Sequence, residues 1–105
     1  MSQVNENQAY RYTVASLDYN GKARTPTNAR YRLDDKLSGN SIIAWTDISP
    51  LSTSMTIDIP ASANAIIDSN QEFETKVLTV EVDYGTNDAS NTEVEYEVKN
   101  QQFLS

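Results

Sequence analysis

Residues 73–84 read FETKVLTVEVDY, the longest run of strand-forming residues in the chain with no Gly or Pro inside it. Leu78, Val80, Val82 and Tyr84 occupy alternate positions, with Thr79, Glu81 and Asp83 between them. Side chains along a strand point to opposite faces in turn, so this alternation predicts a half-buried β-strand, apolar toward a core and acidic toward water. A turn over 85–90 follows. Beyond it Val94, Tyr96 and Val98 alternate with Glu93, Glu95 and Glu97. The two runs read as a central hairpin.

The chain has 105 residues, enough for one domain. A domain of about 100 residues buries roughly two-thirds of the surface its unfolded chain exposes, so a core without covalent staples is feasible. There is no Cys, which excludes disulfides and thiolate metal sites, and no His, the commonest general base and metal ligand. No apolar run approaches the roughly 20 residues that span a bilayer, and MSQVNENQAY at the start lacks a charged-then-apolar export pattern. A cytosolic origin and no membrane partner are the expectation. The net charge is −7, which argues against nucleic acid, since phosphate binding needs a basic face. The charge is uneven. Residues 1–36 hold Arg11, Lys22, Arg24, Arg30, Arg32 and Lys36 against four acids, whereas 37–105 hold only Lys76 and Lys99 against eleven. This is either the ordinary solvated surface of a soluble domain or a bipolar one whose ends attract neighbouring copies.

Residues 1–8 are polar and aperiodic and read as a flexible arm. Ala9 to Leu17 alternates Tyr10, Tyr12 and Val14 with Arg11 and Thr13, a first strand. Asp18-Tyr19-Asn20-Gly21 is a turn signal. Lys22 to Thr25 is a candidate short strand that Pro26 would hold to an edge or end. Asn28 to Asp34 turns Ala29, Tyr31 and Leu33 inward and Arg30 and Arg32 outward. Ser41 to Ile48 carries Trp45, the only Trp, expected to be buried on the same face as Ile43 with its indole N–H on an acceptor. Ser54 to Ile59 points Met55, Ile57 and Ile59 inward and ends at Pro60. Residues 61–70, ASANAIIDSN, are the one stretch unlike a strand. A helical turn fits there, with Ile66 or Ile67 plugging an open end of the core. Residues 101–105 form a tail. Short strands with turn signals about every ten residues predict an all-β, antiparallel β-sandwich of six or seven strands over residues 9–100. Leu78, Val80, Val82, Tyr96 and Trp45 are its expected core anchors.

Glu81 and Asp83 on one strand and Glu93, Glu95 and Glu97 on the next face outward, and pairing of the strands would merge them into one acidic stripe. Such a stripe is either a solvated face or a docking surface for a basic partner. Acid–base catalysis by paired carboxylates needs one of them desolvated in a cleft, which an open sheet does not supply. Asp34-Asp35 and the turn 83–88 carry oxygen ligands without the fixed spacing of a calcium loop, so turn chemistry explains them and no metal is expected. Tyr10, Tyr12, Tyr31, Tyr84 and Tyr96 face the core by alternation. Tyr19 lies in a turn and is a candidate contact residue. Gly21, Gly39 and Gly85 fall in separate turns, so there is no phosphate loop. Without His or a Ser-x-x-Lys spacing no nucleophile is activated. No cofactor and no catalytic residue are expected.

The Tyr-rich first strand, Asp18-Tyr19-Asn20-Gly21, Thr25-Pro26-Thr27 and Tyr31-Arg32-Leu33-Asp34 carry a resemblance. So do Trp45-Thr46, Met55-Thr56-Ile57-Asp58-Ile59-Pro60, Asn64-Ala65-Ile66-Ile67 and Val94-Glu95-Tyr96-Glu97-Val98-Lys99-Asn100. Together they resemble a group of small tailed-bacteriophage proteins with an immunoglobulin- or fibronectin-III-like fold. The resemblance spans nearly the whole chain and is structural, with no site motif to transfer. It implies a virion protein made in the host cytoplasm, decorating or cementing the head shell or sitting at the head–tail region. Its partners would be the major capsid protein or other phage structural proteins, bound in multiple copies, where weak contacts add by multivalency. The alternative is a module that recognises a host-surface protein or sugar through its loops.

Overall fold

The computed structural model describes residues 2–18, 20–85 and 89–101. Among these are seven strands: β1 (Ser2–Asn5), β2 (Tyr10–Ala15), β3 (Asn28–Asp35), β4 (Ser41–Asp47), β5 (Ser54–Ile59), β6 (Phe73–Asp83) and β7 (Ala89–Lys99). The non-strand segment after Pro60 holds a 3₁₀ turn, Ala61–Asn64. No described helix is long and apolar enough to cross a membrane.

The central hairpin forms. β6 and β7 pair antiparallel over their full length, from Phe73 against Lys99 to Asp83 against Ala89. β3 adds antiparallel to the other side of β6, and β4 to β3, giving a five-stranded sheet ordered β1-β7-β6-β3-β4. β2 and β5 pair antiparallel as a separate two-stranded sheet. The fold is all-β, with two sheets sharing one core. Leu33, Leu78, Val80, Val82, Tyr96 and Val98 from the large sheet meet Met55, Ile57 and Ile59 from the small one. Tyr10 stacks on Tyr96 across the gap, with ring centroids 4.0 Å apart. Ile66 packs against the core, while Ile67 remains exposed.

Three expectations are corrected. Trp45 is not in the core: it is 38% exposed on the outer face of the large sheet. The cause is a β-bulge. Leu33 opposes Ile43 and Tyr31 opposes Thr46, so β4 spends one more residue than β3 between the same two pairs. The extra residue breaks the period-two count from Ile43 and turns Trp45 outward. Residues 2–5 are not a free arm, because β1 pairs parallel with β7, Ser2 against Tyr96 through Asn5 against Lys99. Val4 packs half-buried against the core. Glu6 N–H then donates to the Lys99 carbonyl at 2.9 Å, and Asn7, at φ 61°, turns the chain toward β2. Asn tolerates this left-handed conformation better than most residues. Lys22 to Thr25 forms no strand, only an isolated Leu17–Ala23 bridge. Asp18 accepts from the backbone N–H groups of Asn20 and Lys22 through its carboxylate, closing a loop that satisfies the chain locally. The tail beyond Gln101 lies outside the described residues.

Candidate functional site

The outer face of the large sheet is built by alternation. Core residues on β3, β6 and β7 force their neighbours outward, so Arg30 and Arg32, then Glu81 and Asp83, then Glu93, Glu95 and Glu97 stand in adjacent columns. The register keeps the acids of β6 and β7 apart. Glu93 faces Thr79, Glu95 faces Val77, Glu97 faces Thr75 and Glu81 faces Asn91. No two of them are directly opposite, which avoids the like-charge pairing that would weaken the hairpin.

The acidic residues differ in their company. Glu81 lies opposite Arg30 and receives both Nε at 3.0 Å and Nη2 at 3.3 Å, a bidentate pair. Glu95 binds Lys36 Nζ at 2.9 Å. The Asp83 carboxylate caps the turn by accepting from Gly85 N–H at 2.9 Å. Glu93 and Glu97 have no ion pair among the described residues. Neighbouring glutamates along β7 sit about 7 Å apart, where two charges in water repel by about 0.6 kcal/mol.

Trp45 joins this face from β4. The Arg30 guanidinium lies 4.1 Å and that of Arg32 5.6 Å from the centre of its ring. Cations over an indole face gain about 0.5–1 kcal/mol each at an exposed site. Among the described residues no other element covers this face, which carries an arginine–tryptophan patch on β3 and β4 and a glutamate column on β7. The two lie about 10 Å apart, two strand spacings.

The end of the sandwich that holds the β3–β4 turn has a cleft of about 620 Å³, lined by Leu37, Ser38, Ile67, Phe73 and Glu74 among others. Under it lies a buried ion cluster that the sequence reading missed. Lys76, fully buried, donates to Asp35 at 3.1 Å and to Glu74 at 2.9 Å. Each carboxylate also holds a loop: Glu74 accepts from Ile67 and Asp68 N–H, and Asp35 from Ser38 N–H and hydroxyl. Burial opposes the Asp35 charge, but the Ser38 hydrogen bonds and the Lys76 ammonium outweigh it and hold the carboxyl below the usual 3.8. Asp35 thus ties the turn through its carboxylate. The signal was legible: Glu74 and Lys76 continue the inward parity of Leu78, and Asp35 that of Leu33.

A second polar rivet joins the N-terminal turn to the core. Asn64, buried at the end of the 3₁₀ turn, accepts from Tyr96 Oη at 2.6 Å and donates from Nδ2 to the Gln8 carbonyl at 2.8 Å. Asn7 N–H donates to the Asn64 carbonyl at 2.9 Å. Burial pushes the Tyr96 phenol well above its usual 10.0, against the lowering effect of Asn64.

Of the candidate residues, the structure brings Glu81, Asp83, Glu93, Glu95 and Glu97 onto one face and sends Leu78, Val80, Val82 and Tyr96 to the core. Tyr19 lies outside the described residues. Asp34, weighed as a cation ligand, is engaged by Arg32 at 2.9 Å. Among the described residues no group of three or more acidic side chains is arranged to hold a metal ion. Comparison with models of known protein families, with curated proteins and with solved structures gives no match to this chain.

Proposed function

We propose that this chain is a non-enzymatic structural component of a tailed-bacteriophage particle, held to neighbouring head or head–tail proteins through the outer face of its large sheet. The observation that carries the docking part is that face. Among the described residues no other element covers it, and it carries a glutamate column on β7 and, beside the β3–β4 bulge, an arginine–tryptophan patch on β3 and β4. Both arginines are held by acids, Arg30 by Glu81 and Arg32 by Asp34, so the charge left over on this face among the described residues is that of Glu93 and Glu97. It suits a basic neighbour in a fixed orientation, because complementary potentials set register and reject wrong partners. The phage context rests on the sequence resemblance. An immunoglobulin-like scaffold is part of the proposal, and the strand order supports it. If β1 to β7 are lettered A′, B, C, C′, E, F and G, the sheets become A′-G-F-C-C′ and B-E. That arrangement keeps B with E, and C, F and G together with C′ at the edge, as in variable-type domains.

The test is density-gradient fractionation of a phage lysate probed for the chain. Co-sedimentation with intact particles at a fixed copy number is the expected result. Recovery only at the top of the gradient, as a free small protein, would overturn the reading and direct the search to host-surface ligands.

A further inference from the structure

We propose that the edge of β7 from Ala89 to Glu95 is a strand-acceptor site for an extended, lysine- or arginine-bearing segment of a protein partner. This deepens the structural reading by naming the chemistry of the partner, and rests on that reading only in taking the partner to be a protein.

Three observations converge. First, the edge is open. β7 pairs with β6 along its whole length, but on its other side β1 covers only Tyr96 to Lys99, and among the described residues nothing pairs with Ala89 to Glu95 there. An uncovered edge presents unpaired N–H and C=O groups and templates another strand. Second, the covered part shows what the edge accepts. β1 is a short, polar, extended segment whose only half-buried side chain is Val4, so backbone pairing holds it more than apolar burial. An incoming strand would continue the same ladder where β1 leaves off.

Third, the charge selects the occupant. Glu93 and Glu95 project beside this edge; Glu95 already binds Lys36 Nζ at 2.9 Å, whereas Glu93 has no ion pair among the described residues. Two copies pairing edge to edge through β7 would bring their glutamate columns together, which is unfavourable. A segment with Lys or Arg at alternate positions would instead place its cations beside Glu93 and Glu95 on the outer face. Its intervening residues would extend the row of Ser90, Thr92 and Val94 on the inner face. The edges of β2 and β5 that are unpaired among the described residues lack this selectivity, since their outward charges Arg11 and Asp58 pair with each other at 2.6 Å.

The test uses the full chain and a synthetic extended peptide alternating lysine with valine, followed by amide hydrogen exchange. The expected result is binding that protects the amides of residues 89–95. Binding should weaken at least about tenfold in E93K/E95K, and by a similar factor, about tenfold, when the peptide is N-methylated along its backbone with its charge retained. Failure of the lysine peptide to bind at low ionic strength would overturn the proposal. So would equal binding of the N-methylated peptide, since attraction would then be charge alone. Because the N-methyl comparison changes only the peptide, it holds whatever the variant's stability. A chain that co-sediments with particles yet ignores the peptide would sink the edge site and leave the structural reading standing.

Discussion

At the scale of single residues, the buried cluster of Lys76, Asp35 and Glu74 is the most consequential feature. Each of its charges has a partner, and each carboxylate anchors a loop, so the cluster ties the β3–β4 turn and the segment after the 3₁₀ turn to β6. Removing one partner of a buried ion set strands the others. Lys76→Met should therefore destabilise the protein by about 3–5 kcal/mol in urea unfolding, although Met fits the volume. The pH response has a definite sign. The folded-state Asp35 carboxyl titrates below its unfolded value, so its contribution is present above that value and is lost as pH falls through the folded one. Tyr96 runs the other way. Its folded-state value is raised, so the stability it contributes is present below its unfolded value near 10.0 and is lost as pH rises above it. Tyr96→Phe should cost about 1–3 kcal/mol at neutral pH, because Asn64 loses a buried donor. The variant should also show a shallower loss of stability between neutral and strongly alkaline pH, read from thermal melts across that range.

At the scale of elements, the sequence told most where alternation was long and uninterrupted. β6 and β7 were legible as a hairpin, and their inward rows became the core, because two buried faces leave only one workable register. Trp45 shows the limit. Periodicity counts residues, and a bulge adds one without any residue type that announces it, since Ile43-Ala44-Trp45 contains no Gly or Pro. Reading the face of Trp45 correctly required its partner strand, in particular the arginines at alternate positions on β3 that lie beside the ring. The outward placement has a direct consequence. Trp45→Ala should cost about 1–3 kcal/mol, its two cation–π contacts at about 0.5–1 kcal/mol each plus its partial burial. Leu78→Ala, in the fully buried row, should cost about 2–5 kcal/mol. As the only Trp, Trp45 also reports on itself: its fluorescence in the native state should be quenched efficiently by acrylamide, and a core indole would resist.

At the scale of the whole molecule, the question is what organises the edges of the large sheet. Residues 2–5 look like an unstructured terminus in one dimension because they have no periodicity and one apolar residue. They become a strand only because β7, folded from the far end of the chain, offers a ladder, and because Asn64 fixes the turn at Asn7 and Gln8. Such long-range pairing is invisible to local pattern reading, whereas the outward acids of β6 and β7, the candidate docking face, followed from alternation alone. The pairing predicts what truncation does. Removing residues 2–5 takes away four backbone ladder positions and the half-burial of Val4. The stability lost should be modest, about 1–2 kcal/mol, since net backbone hydrogen bonds are worth about 1 kcal/mol or less each and the ordering entropy of the segment is recovered. The local effect should be large by contrast. Exchange protection should fall at the β1-facing amides among residues 96–99, while the amides of β6 that pair with β3 stay protected. An arm that merely hung from the sandwich would leave both sets unchanged on deletion. The same truncation lengthens the open edge of β7 back to Lys99. If charge and not coverage guards that edge, the shortened chain should remain monomeric at low salt, and should self-associate only when salt screens the glutamate column or when Glu93, Glu95 and Glu97 are neutralised, as read by analytical ultracentrifugation.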